Sequence, residues 1–544
     1  MSSDEPPLWK EPPLNLFSVR RVVQLLTLVL WAALFHRAYV IGNGLLQRFP
    51  VPDLFLRTDP LAGILSSAAA RRFGQELLFW TPMALLPFLL GRAFCGWACP
   101  LGTLLDAGDH AAKTAGNILG GRPHALLLNR IATFRKYMQA KYYVLIALVV
   151  AAGLSAPLFG YLDPLCILNK AFAFTVLPWL GRMEFDVTGR APLFGYAGTS
   201  LHFFNFPLFA GLTLLSIIFM NRFFRRAWCR TLCPLGAALG AAGRFSLFTL
   251  SFSTGKCRSC LKCAEVCKTG AIDFPEKNAP VSDYHKSECI LCYSCVNACP
   301  HQCLGFHFSS GARRYSTPAV DMTRRGLVQS ALAGAVLAPL VKLGPPDRDR
   351  RAWAAIRPPF SHASEAVFLD SCIRCGLCMR VCKTNTLQPA YLETGLEGLM
   401  TPVLKPAIGG CDPECNACGM VCPTNAIRSF SAPDKLSLKM GTAKLELDRC
   451  IGYTENKDCN ECAKICPTQC IKVRRINGVL KPVSVVAAEC NGCAMCEKRC
   501  REIIANGTAC IATGRGRGLV TDIAVIRKNL ELKKQAGPSF LPEA

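Results

Sequence analysis

Two stretches decide the fold: CRSCLKCAEVCKTGAI, from Cys257 to Ile272, and CILCYSCVNACPHQCL, from Cys289 to Leu304. Each sets three cysteines with two residues between neighbours, then a fourth three residues further on, and the second ends in Cys-Pro. A triplet-plus-one, repeated once, is the ligand spacing of paired [4Fe–4S] clusters. Three close cysteines wrap three irons of one cube, and the fourth starts a helix that reaches the other cube. Cys257, Cys260, Cys263 and Cys299 are expected to hold one cluster, and Cys289, Cys292, Cys295 and Cys267 its neighbour. Structural zinc sites pair two CxxC knuckles instead.

Four more sets follow downstream. Cys372, Cys375, Cys378 and Cys382 keep the standard spacing; Cys411, Cys415, Cys418 and Cys422 carry one extra residue in the first gap. Cys450 is separated by eight residues from Cys459, which leads Cys462 and Cys466, so a short loop replaces the first turn. Cys490, Cys493, Cys496 and Cys500 close the series without a following proline. Four clusters are the natural count. Adjacent pairing, or first-with-fourth and second-with-third, satisfies the ligands equally. Aligning the tails CKTGAI, CPTNAI, CPHQCL and CPTQCI puts Cys303 and Cys470 where others have alanine, and Cys510 fits the same tail after an insertion. These three read as small buried hydrophobes, and Cys166 stays unassigned.

Thirty-two cysteines at such dense spacing suit metal binding rather than disulfides. Hydrophobic residues at 51% against 18% charged place part of the chain in lipid. Val22 to Ile41 is long enough to span; Leu77 to Leu90, Tyr142 to Leu158 and Phe203 to Met220 are shorter and need flanking residues or local thinning. Four spans are expected. Lys113, Arg122, Arg130, Arg135, Lys136 and Lys141 follow the second, and Arg222, Arg225, Arg226 and Arg230 the fourth, so both ends are read as cytoplasmic. Arg48, Arg57, Arg71 and Arg72, in an outer loop, argue the other way.

The two hairpins end alike, GRAFCGWACPLG at Gly91 to Gly102 and RRAWCRTLCPLG at Arg225 to Gly236, as a parallel repeat would. Cys95, Cys99, Cys229 and Cys233 would converge at the membrane edge, for a redox or metal role or for packing beside a helix-ending proline. From Thr323 to Gly344 a twin arginine precedes an apolar stretch, TRRGLVQSALAGAVLAPLVKLG, read as an internal export signal that stays as a fifth, tethering span. A plain amphipathic helix is the alternative.

The expected fold is multi-domain: an α-helical membrane bundle of four spans plus a fifth, with two α+β bacterial-ferredoxin-like [4Fe–4S] modules. Its parts are an N-terminal tail (1–16), the membrane domain (17–250), a cytoplasmic two-cluster module (251–312), the fifth span (313–345), a polar linker (346–365) that takes in part of PPDRDRR, a periplasmic four-cluster module (366–515) and a C-terminal tail (516–544). A formal charge of +25 suggests nucleic acid, but cluster charge and span-flanking bases account for it, and no nucleic-acid partner is expected. The chain carries no CxxCH, P-loop or GxGxxG helix opening, so no covalent haem and no nucleotide are expected. His36 and His202 fall near outer span ends, where hydrogen bonding to backbone is the better reading than quinol binding.

Four spans, two CxxxCP motifs and a following two-cluster module resemble the NapH/MauN family of membrane ferredoxin-type proteins, related to the NosR group, over roughly residues 17 to 310. The remainder is similar to the exported NapG/MauM type. The resemblance implies a quinol dehydrogenase module of a bacterial inner membrane, an electron-transfer oxidoreductase component that passes electrons through six [4Fe–4S] clusters. Its partners would be the lipid bilayer, the quinone pool and a cytochrome or reductase. It carries Cys95, Cys99, Cys229 and Cys233 as the membrane motif and the 24 cysteines above as ligands, and names no catalytic residue. The rivals are a maturation or regulatory factor that supplies electrons for metalloenzyme assembly, and an anchor whose clusters only stabilise the fold.

Overall fold

A computed structural model describes residues 16–42, 53–72, 77–118, 136–188, 204, 207–253, 256–272, 284–308, 322–342, 355–362, 364–503 and 509–519. Arg48, Arg122, Arg130, Arg135, His202, the linker at 345–351 and most of both tails lie outside these residues. The chain divides into two compact units. One takes Met1–Leu34, Leu54–Leu168 and Gly211–Ala338; the other takes Phe35–Asp53, Asn169–Ala210 and Pro339–Ala544.

All four expected spans are helical. They run Leu16–Gly42, Leu77–Leu90, Ala140–Gly153 and Pro207–Phe223, and the fifth segment is a helix at Arg324–Lys342. Among the described residues two helices are long and apolar enough to cross a membrane, Leu16–Arg37 and Pro164–Val187. The second was not anticipated. Asp163, Asn169 and Lys170 interrupt its hydropathy, yet all three are buried.

In the first unit, outward faces are apolar: Leu25 on the first helix, Leu78 on the second and Leu215 on the fourth are 61%, 78% and 61% exposed. The helix Arg324–Lys342 turns Gly326, Ser330, Gly334 and Ala338, four residues apart on one face, toward Ala140–Gly153. Gly326 lies against the Tyr143 hydroxyl, Gly334 against the Ala147 carbonyl, and Ala338 joins Ala151 and Ala156. Small residues let two backbones approach this closely. Val328, Leu332 and Val336 stay exposed on the far face.

The unit's cysteine-rich module is closed by its own ends, Phe248–Phe252 pairing antiparallel with Leu304–Phe308 in the register Leu250 to Phe306. In the second unit, Leu387–Pro389 pairs with Pro402–Leu404, and Leu438–Leu445 with Ile511–Leu519, both antiparallel. Ile471–Ile476 and Val479–Val485 form a hairpin whose two-residue turn, Asn477-Gly478, has positive φ at both positions (53° and 80°). Phe248–Phe252 with Leu304–Phe308, and Leu438–Leu445 with Ile511–Leu519, thus hold cysteine motifs between their ends, whereas the other two strand pairs lie between motifs.

Candidate functional site

The standard-spacing motifs share one backbone device. The residues before and after each second cysteine take positive φ: Ser259 and Leu261, Leu291 and Tyr293, Arg374 and Gly376, Gly492 and Ala494. Alternation of this kind turns successive amides toward a common centre, the geometry of an anion-holding nest. Five motif tails also place a left-handed residue three positions after the fourth cysteine: Gly270, Gln302, Asn385, Asn425 and Gln469. That turn swings following amides back onto the sulfur, as from Ala271 to Cys267 Sγ at 3.2 Å and from Ile427 to Cys422 Sγ at 3.4 Å. Thiolate ligands of a cluster are held by such donors.

Six sets of four cysteines come together. In the first unit, Cys257, Cys260, Cys263 and Cys299 form site I, and Cys289, Cys292, Cys295 and Cys267 form site II, as the spacing leads one to expect. In the second unit, Cys372, Cys375, Cys378 and Cys422 line one pocket, site III, while Cys382 joins Cys411, Cys415 and Cys418 at site IV. Cys450, Cys459, Cys462 and Cys500 line site V, and Cys466, Cys490, Cys493 and Cys496 line site VI. Adjacent motifs therefore exchange fourth cysteines, which resolves the pairing that spacing left open. The Cys411 amide donates to the Cys493 carbonyl at 2.7 Å, so sites IV and VI touch and the order in space is III, IV, VI, V. Among the described residues no three His, Cys, Asp or Glu close on one point tightly enough for a single ion. Sulfurs around a pocket suit the corners of a cube, so the donor set fits [4Fe–4S] clusters.

The three extra cysteines are buried, as expected, but they are not inert fillers. Cys303 Sγ lies 3.3 Å from Cys299 Sγ, Cys470 Sγ 3.6 Å from Cys466 Sγ, and Cys510 Sγ 3.3 Å from Cys500 Sγ. Each also reaches a second ligand of the same site: Cys257, Cys490 and Cys450 respectively. The Cys510 contact holds the Cys450 thiol down to about 6, and the Cys470 contact does the same for Cys466. By contrast, burial pushes the Cys263 thiol up to about 11. Lys435, only 2% exposed, donates from Nζ to the carbonyls of Asp412 and Cys415, the latter at 2.8 Å, and to the Cys411 sulfur. No spacing rule marks this lysine; it lies outside every motif.

Site II stands directly against the CxxxCP repeat. Trp97 Nε1 donates to the Leu291 carbonyl at 2.8 Å, its ring meets Tyr293 edge-on at 6.2 Å, and Arg20 Nη1 donates to the Cys292 carbonyl at 3.3 Å. Cys95, Cys99, Cys229 and Cys233 fall within electrostatic reach of one another, and Cys233 Sγ also accepts from the Gly236 amide at 3.2 Å as a helix cap. Arg92 and Arg226, each three residues before its motif's first cysteine, cross between the halves. Arg92 donates to the Cys229 carbonyl at 3.5 Å and Arg226 to the Cys95 carbonyl at 2.8 Å.

Both arginines end on buried carboxylates. Arg92 meets Glu288 at 2.8 Å, where Lys141 and the Tyr142 hydroxyl also bind; Arg226 meets Asp106 at 3.0 Å, with Arg20 at 2.6 Å and Lys268 at 2.8 Å. Burial alone would push the Glu288 carboxyl up, but Lys141 and Arg92 hold it below its ordinary range. At Asp106 burial is overcome in the same way by Arg226 and Lys268. Lys141, Arg226 and Arg230, counted from the sequence among the span-flanking bases, are all three buried, Lys141 and Arg226 in ion pairs and Arg230 against Met138.

The chain matches a 4Fe-4S binding domain over residues 76–113 and 204–253, a 4Fe-4S dicluster domain over 256–303 and a further 4Fe-4S binding domain over 366–388. It is 28% identical over 257 residues to YccM of Escherichia coli, whose name places it in electron transport, covering 44% of this chain and 60% of YccM. The ferredoxin-type protein NapH of Haemophilus influenzae is 25% identical, over 49% of this chain and 78% of its own length. The methylamine utilization ferredoxin-type protein MauM of Paracoccus denitrificans is 34% identical over 193 residues, 32% of this chain and 78% of MauM. The chain belongs to the NapH/MauM family of ferredoxin-type proteins. No solved structure matches it. In this NapH/MauM-type chain, the first matched domain encloses Cys95, Cys99, Cys229 and Cys233, so the match takes in the CxxxCP repeat.

Proposed function

We propose that this protein carries electrons between the quinone pool and a redox partner outside the membrane, using [4Fe–4S] clusters at sites I to VI. The carrying observation is the contact of site II with the CxxxCP repeat, through Trp97 with Leu291, and through Arg20, which donates to both the Cys292 and Gly96 carbonyls. A [4Fe–4S] cluster supplies one-electron storage with little rearrangement. The chain's own residues do the rest: amides turned by left-handed residues cradle the sulfurs, and Arg92, Arg226, Glu288 and Asp106 fix the cluster loops against the helices.

Exposed apolar faces on Leu16–Gly42, Pro207–Phe223 and Arg324–Lys342 support a multi-pass membrane placement, because water would leave that surface uncovered. In this reading the first module is cytoplasmic and the second periplasmic. Cys95, Cys99, Cys229 and Cys233 line the electron's entry. The test is anaerobic: the purified full chain is mixed with a menaquinol analogue and followed by absorbance and electron paramagnetic resonance. Cluster reduction that is lost when these four cysteines become serine supports the reading; clusters reducible by dithionite but never by quinol would overturn it.

A further inference from the structure

Sites in the second unit form a row, III, IV, VI, V, and the side chains beside their sulfurs change along it. At site III the tail position is Ala426, a methyl group. Site IV has the buried Lys435 ammonium on Cys411; site VI has Cys470 between Cys466 and Cys490; site V has Cys510 between Cys500 and Cys450. The first unit repeats the contrast: Ala271 stands beside Cys267 of site II, and Cys303 beside Cys299 and Cys257 of site I. Site III is the member of its row that meets the unit's long apolar helix, since a Cβ on Gly376 would come 2.9 Å from the Phe174 ring. Sites II and III have polar neighbours of another kind: Thr269 Oγ1 lies 3.9 Å from Cys267 Sγ, and Arg374, Arg357 and Lys170 fall within electrostatic reach of Cys372.

We propose that Lys435, Cys470, Cys510 and Cys303 are side-chain donors to cluster-ligand sulfurs that raise the reduction potentials of sites IV, VI, V and I respectively. Reduction adds negative charge to a cluster, and that charge rests largely on the sulfurs. A proton donor or cation on a ligand sulfur stabilises the reduced form, more so in a buried setting. Each transfer moves one electron from a reduced cube to an oxidised one. No bond forms or breaks, because the donor keeps its proton. The four side chains act through the ligands they touch and are positioning residues. The inference rests on clusters occupying these sites, but not on quinol as their reductant.

The test is a mediated redox titration of the full, anaerobically purified holoprotein, with electron paramagnetic resonance on each sample and iron and acid-labile sulfide counted. Cys470→Ala is expected to move one cluster's midpoint to lower potential with iron content unchanged, and Cys470→Ser, which keeps a donor, to move it less. Lys435→Met is expected to lower a different midpoint, and Lys435→Arg to restore most of it. Unchanged midpoints in fully loaded variants would overturn the proposal. So would loss of one cluster in Cys470→Ser alone, which would make Cys470 a ligand. Mediators replace quinol throughout, so a failure here is separable from a failure of quinol-linked transfer.

Discussion

Gly96 faces the carbonyl oxygen of Ile290 so closely that a methyl group there would overlap it. The first half of the membrane-edge repeat and the site II loop thus meet backbone to backbone, a contact only glycine permits. Gly240 does the same against the Ser287 carbonyl from the second half, with a notional Cβ at 2.8 Å.

Gly96→Ala is expected to cost about 1–3 kcal/mol, the usual penalty of overpacking a tight contact. It should also slow quinol-driven reduction of the clusters while dithionite still reduces them. Gly108→Ala, inside the Pro100–Ile118 helix where a Cβ meets nothing within 4 Å, is the control and should leave the reduction rate unchanged while stabilising the helix by up to about 1 kcal/mol. Equal behaviour of the two variants would mean the loop is not held by this contact.

Glu288 ties acid stability to the same interface. Its folded carboxyl sits below the ordinary value because Lys141 and Arg92 overcome the effect of burial. Its contribution is therefore complete above the unfolded pKa and disappears as pH falls through the folded one. Melting temperature in detergent should hold near neutral pH and drop on the acid side. Glu288→Gln leaves two buried cations without their counter-charge, a loss of about 3–5 kcal/mol, and should flatten that acid limb. A variant with the wild-type acid profile would show that other carboxylates govern it.

Exchange of fourth ligands between adjacent motifs has an arithmetic consequence. Cys382→Ser and Cys411→Ser strike one site, so the double variant should lose no more iron than either single one. Cys382→Ser with Cys372→Ser strikes two, and the losses should add. Iron and sulfide counts on anaerobic preparations decide it; the reverse pattern would place Cys382 with its own motif.

Around sites V and VI the hydrophobic cluster is largely cysteine: Cys450, Cys462, Cys466, Cys470, Cys490, Cys496, Cys500 and Cys510, with few aliphatic partners such as Ile471 and Ile511. A core so poor in aliphatic volume depends on what its sulfurs hold. Anaerobic iron chelation should open residues 438–519 to protease well before the Ala140–Gly153 helix region is cut. Retained protease resistance in iron-free protein would show that this module folds without metal.

The cysteine motifs, their standard and widened gaps, the repeat at Cys95 and Cys229 and the helical character of five apolar segments were all legible in the chain, because each is a local pattern of spacing or hydropathy. That Cys303 and Cys470 stand where Ala271 and Ala426 stand in other motif tails was visible too. Their meaning was not: Cys470 occupies an alanine's place, yet its sulfur reaches ligands from two motifs, Cys466 and Cys490, which are distant in sequence.

By itself, then, the sequence determined which cysteines group into motifs and which segments are helices, since neighbours along the chain set those. Tertiary structure alone decided which fourth cysteine goes with which site in the second unit, that Lys435 lies on Cys411, and that Lys141 and Arg226 are buried ion-pair partners. Hydropathy and charge counts register a residue's type and never its partner. A partner is chosen by packing, where the burial of a charge is offset only by the particular opposite charge brought against it.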